Sequence, residues 1–154
     1  MATRGFEWAY NLDGTKGGPV IRDFVLSTAT AHKIGDLMTI ETDGDISAAA
    51  ATDSEFTCVM QEAVAAADIT AGTTTAKAAI VNSNQVWRCS TDASTAATAL
   101  VGTIKTWDLV DANTIDADEV AAGYMTVVET PSELDQDGNV IGYVCFTDTT
   151  FGNA

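Results

Sequence analysis

The side chains able to do covalent or acid–base chemistry are few and far apart. Cys58, Cys89 and Cys145 are the only thiols and His32 the only imidazole of a 154-residue chain that carries 22 acidic residues. A zinc cage or a nucleophilic triad needs such groups gathered, and the chain has no Cys-x-x-Cys pair and no Gly-x-Ser-x-Gly elbow to begin one. Each cysteine sits in a strand-like run (57–60, 86–89 and 143–146), which reads as three reduced thiols packed as small hydrophobes. His32, with no motif beside it, reads as a solvated loop residue. The run Glu133-Leu134-Asp135-Gln136-Asp137-Gly138-Asn139 alternates oxygen ligands like half of a calcium loop. Val144 stands where an EF-hand requires glutamate, so an Asp-Gly hairpin turn is expected instead. Asp108, Asp111, Asp116, Asp118 and Glu119 have no spacing that fixes a glycosidase pair and read as a solvated acidic face. No metal, cofactor or catalytic residue is expected from these groups.

Charge sorts the chain into two parts. Arg4, Lys16, Arg22 and Lys33 against Glu7, Asp13 and Asp23 leave residues 1–33 at net +1, while the remainder holds 3 basic and 19 acidic residues. With −15 overall, the chain repels phosphate backbones and anionic bilayers, so neither nucleic acid nor membrane is an expected partner. No apolar run is long enough to span a bilayer, and the first residues lack the basic-then-apolar order of a signal peptide, so synthesis in a cytoplasm is expected.

Residues 1–19 read as an extended N-terminal arm. Gly5, Gly14, Gly17, Gly18 and Pro19 interrupt any helix, yet Phe6, Trp8 and Tyr10 alternate with Glu7 and Ala9, which in an extended backbone lines three aromatics on one face. Arg4, Phe6, Trp8 and Tyr10 are the candidate partner-binding residues. Burying three aromatics contributes roughly 6 kcal/mol, whereas fixing the backbone from Gly5 to Asn11 costs about 7 to 14 kcal/mol. An ordered arm therefore needs backbone pairing as well, by addition to a sheet edge or by several arms acting together. Whether that edge belongs to a neighbour or to the arm's own domain stays open on the sequence.

Residues 20–154 read as a single mainly β domain, an antiparallel barrel or sandwich with one or two short helices. Residues 20–26 alternate as a first strand. Residues 34–46 form a hairpin about Asp43-Gly44, and residues 56–62 make a further strand. Residues 76–81 and 86–90 are expected to pair as a hairpin across Asn82-Ser83-Asn84-Gln85, and residues 63–67 to be a loop or strand tail. A short helix is expected over 92–100 and a helical turn or two over 116–123, with strands over 104–110, 124–130 and 140–147. Trp87 and Trp107 lie in strand runs and read as core, although with Trp8 they are also the material of a sugar-stacking platform.

The stretch from Leu26 to Cys89, with Ile34-Gly35-Asp36-Leu37-Met38-Thr39-Ile40, an Asp-Gly turn, the alanine-rich 48–52 and then Cys58-Val59-Met60-Gln61-Glu62-Ala63, resembles the small capsid decoration, or cement, proteins of tailed bacteriophages. The resemblance covers a little under half of the chain and leaves residues 101–154 unplaced. It implies a mostly β, barrel-like, sandwich or tulip-like body that assembles as a homotrimer on the outer surface of a virion. Its partner would be the major capsid protein, and it would have no catalytic residue and no cofactor. A carbohydrate- or receptor-binding β-module on a virion surface is the alternative.

Overall fold

Alternating β-branched and small residues form extended strands as the pattern predicts. The computed structural model describes residues 5–93, 106–117, 124–129 and 134–151. Within them the strands are β1 (Glu7–Asn11), β2 (Ile21–Val25), β3 (Leu37–Ile40), β4 (Ile46–Ala48), β5 (Cys58–Met60), β6 (Thr75–Ile80), β7 (Gln85–Ser90), β8 (Thr106–Asp111), β9 (Thr114–Asp116), β10 (Met125–Glu129) and β11 (Ile141–Phe146). They form a six-stranded sheet of order β1-β7-β11-β10-β8-β9 and a five-stranded sheet of order β2-β6-β5-β3-β4. Every strand pairing is antiparallel. The two sheets pack face to face, a sandwich and not a closed barrel. Isolated bridges from Leu26 to Ile46 and from Thr91 to Ile115 draw the ends of each sheet inward.

The main core lies between the sheets. The Phe146 ring is its hub, with Phe56 at 5.3 Å, Phe6 at 5.5 Å and Trp87 at 6.4 Å between ring centroids, all tilted as aromatic quadrupoles prefer. A second cluster of Leu26, Met38, Ile46, Cys58, Met60, Ile69, Ala76 and Ala78 fills the opposite face of the five-stranded sheet, with Val64 packed against it. The centre of that sheet is thus apolar on both faces, which explains why β5, Cys58–Met60, reads as a continuous apolar run.

One alternative left open by the sequence is decided, and two expectations are corrected. The segment read as an extended arm is built into the body from Gly5 to Asn11: β1 pairs with β7, and the backbone pairing that the energetics required is supplied by the chain itself. Gly5 and Gly35 meet backbone to backbone at its root. A Cβ on Gly35 would lie 2.9 Å from the Gly5 Cα, and both residues hold a positive φ, +103° and +94°. The Phe6 amide donates to the Gly35 carbonyl (2.8 Å) and the Gly5 amide to that of Asn113 (3.0 Å), tying β1 to both sheets. Second, β6 and β7 are not a hairpin. Their connection is a corner between sheets, held by the buried Gln85, whose Oε1 accepts from the Asn82 amide (2.9 Å) and the Trp87 indole (3.1 Å). The reason is burial: Val81 and Trp87 enter the inter-sheet core from opposite walls. Third, Asp116 ends strand β9, where a helical turn was expected. The rest of that turn (118–123), most of the helix expected over 92–100, residues 104 and 105, and Arg4 lie outside the described residues. The loop expected near 63–67 carries one 3-10 turn, Ala66–Asp68.

Candidate functional site

The reactive groups are placed where chemistry is suppressed. All three cysteines are buried. Burial pushes the Cys58 thiol up to about 12 and Cys145 up to about 11, and it raises Cys89 further, so none offers a thiolate near neutrality. The Cys89 thiol donates to the Asn113 carbonyl at 3.3 Å, a structural contact beside the Gly5 junction.

His32 is not solvated. It is 2% exposed, and neither ring nitrogen has a hydrogen-bond partner. Two backbone bonds with Val64 (2.9 and 3.0 Å) clamp its loop against residues 61–74 and carry the ring inward. Burial lowers its pKa, opposed by the charge of Asp36, so the neutral ring is favoured.

Among the described residues no three His, Cys, Asp or Glu side chains are grouped to hold a metal. The Asp135 loop is the expected turn. Its Oδ1 accepts from the amides of Asp137 (2.8 Å) and Asn139 (2.9 Å), and Gly138 takes a positive φ of +81°. Glu133, Asp118 and Glu119 lie outside the described residues. Asp108 and Asp116 face each other across β8 and β9, with the Asp108 carboxylate accepting from the Leu109 amide. Trp87 and Trp107 are 1% and 0% exposed, so their rings are core and form no stacking platform.

The four sequence candidates for partner binding divide. Phe6 is 2% exposed and belongs to the core, which removes it from any partner surface. Trp8 is half-buried against the same core. A bulge at Ala9, marked by the register shift between Trp8 and Tyr10, breaks the expected three-aromatic face. Tyr10 therefore stands apart, 37% exposed, its hydroxyl donating to Glu129 at 2.8 Å. Desolvation first, and then that carboxylate, push its pKa up to about 12.

What the sequence did not single out is the neighbouring apolar rim. Among the described residues, five of the nine exposed large hydrophobics, Tyr10, Leu12, Val20, Ile21 and Ile34, fall within residues 10–34. Of these, Ile21, Ile34 and Val20 border two hollows between β1 and β2, the terminal strands of the two sheets, while Tyr10 is turned away toward Glu129. An open groove of about 310 Å³ runs there, walled by Phe6, Trp8, Pro19, Ile21, Ile34 and Trp87 with Glu7 and Gln61 at its polar margin. Beside it a second hollow of about 230 Å³ is bordered by Asn11, Val20, Arg22 and Gln85. Lys16, Arg22 and Lys33 have no carboxylate partner among the described residues, whereas Lys77 pairs with Asp23 (3.1 Å) and Arg88 with Glu7 (3.8 Å). Of the first three, Arg22 borders the second hollow and Lys33 precedes Ile34 of the groove in sequence. The sequence matches no protein-family model and no curated protein.

Proposed function

We propose that this chain is a capsid decoration protein of a tailed-phage head, binding the outer surface of the expanded shell and stabilising it by bridging major capsid protein subunits. The observation that carries the reading is the concentration of exposed apolar side chains and unpaired cations within residues 10–34 of a stiff β body. Exposed Val20, Ile21 and Ile34 beside an apolar groove suit attachment to another protein. The sandwich supports it because few flexible side chains must be ordered on binding. A protein that binds only the expanded lattice stabilises that state by mass action, and a homotrimer bridging several subunits multiplies weak contacts through effective concentration. The remaining acidic surface keeps unattached copies apart.

The test is to mix the purified protein with undecorated expanded shells. Co-sedimentation and a raised shell disruption temperature are expected, with a trimer mass in solution; failure to bind removes the reading. A carbohydrate-binding module is the competing assignment, and saturable binding on a glycan array would put it first. The burial of Trp87 and Trp107 counts against it.

A further inference from the structure

We infer that the free edge of β2 and the adjoining groove form a docking site for an extended, acidic segment of a partner protein, which adds as a strand beside Ile21–Val25 and seats an apolar side chain in the groove. The site deepens the fastening role proposed above and rests on it.

The backbone sets the geometry. The Ile80 amide donates to the Val20 carbonyl and the Leu26 amide to that of Thr74, each at 2.9 Å. In an antiparallel ladder the hydrogen-bonding direction alternates, so the polar groups of Arg22 and Phe24 also face β6 while those of Ile21 and Asp23 face away. Ile21, Arg22 and Asp23 are all exposed, so the strand is bare on both faces there as well as along its edge. At the other end the edge closes, because Leu26 bridges to Ile46 and the Ser27 amide donates to the Ile46 carbonyl. The open stretch is therefore short and accepts a segment of a few residues.

Side-chain chemistry narrows the occupant. Ile21 pairs with Ala79 on the face toward the other sheet and walls the groove, together with the 62%-exposed Ile34. A residue opposite Ile21 on an added strand would point the same way, toward the groove, and must be apolar. Arg22, paired with Ala78, points to the other face and has no carboxylate partner among the described residues, so a neighbouring strand residue there gains by being acidic. A second copy of β2 does not meet these demands. Two antiparallel copies related by a two-fold axis pair residues of like parity, so the registers of greatest overlap set Arg22 against Arg22 or Asp23 against Asp23. The charges on β2 disfavour self-pairing and favour a strand that carries acids.

The probe is a capped, fluorescently labelled peptide of about eight residues alternating isoleucine with glutamate, a length suited to strand addition. It is titrated into the full-length protein by anisotropy, with amide hydrogen exchange at Ile21 and Asp23 read in parallel. Saturable binding is expected, with added protection at those two amides. Ile21→Pro removes an outward-facing amide and no bond to β6, and Ile34→Glu places a like charge at the groove. Each should weaken binding at least about tenfold with an unchanged far-ultraviolet spectrum. A peptide with lysine in place of glutamate should bind weaker by a similar factor. No saturable binding up to millimolar peptide, equal binding by both variants, or equal binding of the lysine peptide would overturn the site. Co-sedimentation of the same variants with shells separates the two readings. Peptide binding without shell binding upholds the edge and removes the capsid assignment. Shell binding indifferent to both substitutions overturns the edge and leaves that assignment standing.

Discussion

β1 and β2 lie on the same side of the sandwich, both at the ends of their sheets, and the chain treats them in opposite ways. β1 is fastened at every level: Gly5 and Phe6 at its root bond to both sheets, Glu7 pairs with Arg88, Ala9 is bulged out, Tyr10 is tethered to Glu129, and the Asn11 side chain donates to the carbonyls of Thr15 and Gly17. β2 runs in unbroken register with β6, has no bulge, and leaves three successive residues exposed. Bulges and covering contacts are how proteins silence a sheet edge. One of two neighbouring edges is silenced here and the other is left open. The contrast separates the part of the N-terminal segment that serves folding from the part available to a partner.

The strongest way to break that contrast is at Phe6. If β1 is structural, Phe6→Ala removes a ring from the hub around Phe146 and should cost about 3–5 kcal/mol of unfolding free energy in urea. A loss below about 1 kcal/mol would return the segment to the status of a detachable arm. Next is Gly35→Ala, which forces a Cβ against the Gly5 backbone at a positive φ. An expected loss of about 1–3 kcal/mol, read from the same unfolding curves, would show that the root of β1 is a fixed joint.

Much of this was legible because alternation reports faithfully which residues share a face. The hairpin through Asp43-Gly44, strand β2 and strand β11 follow from it. Alternation does not report which sheet a strand joins, and so β6 and β7, whose patterns suit a hairpin equally well, turn out to be opposite walls of one core. Nor does it report a bulge: Phe6, Trp8 and Tyr10 read as one aromatic face until Ala9 is looped out of register. β9 escaped because three residues after an Asp-Ala-Asn turn carry too little pattern. His32 is buried by a backbone bridge to Val64, a contact 32 positions away that no local composition signals. The rim was hidden for the same reason. Ile21 looks like an ordinary strand residue, and only the strand order reveals that it stands at an edge; Ile34 reaches the groove from the turn before β3.

Two finer measurements sharpen the contrast. Tyr10 should give β1 a pH signature that β2 lacks. Its pKa is raised from 10.0 to about 12 in the fold, so between those values the unfolded chain holds fewer protons than the native one. Stability then falls as pH rises through that window. Chemical unfolding at stepped pH should show this fall diminished in Tyr10→Phe, while below pH 10 the two proteins keep a constant difference. With the ring 37% exposed, solvent screens the effect and the difference is expected to be modest. Equal pH dependence in both proteins would mean that the Glu129 tether does not hold β1 in solution.

The smallest expected effect is the most discriminating. Ile21→Thr keeps a β-branched side chain on β2 and trims one that is 47% exposed and belongs to neither core cluster, so the unfolding free energy should change by no more than about 0.5 kcal/mol. The ladder to β6 is untouched, since the bonds flanking residue 21 are made by Val20 and by the alternate residues that follow it. A protein gains nothing in folding from an exposed isoleucine at an open edge, so a near-zero cost beside a large cost at Phe6 would mark Ile21 as a residue retained for contact with something else. A loss above about 2 kcal/mol would instead mean that β2 is packed as firmly as β1, that the groove is closed in solution, and that the two edges do not differ.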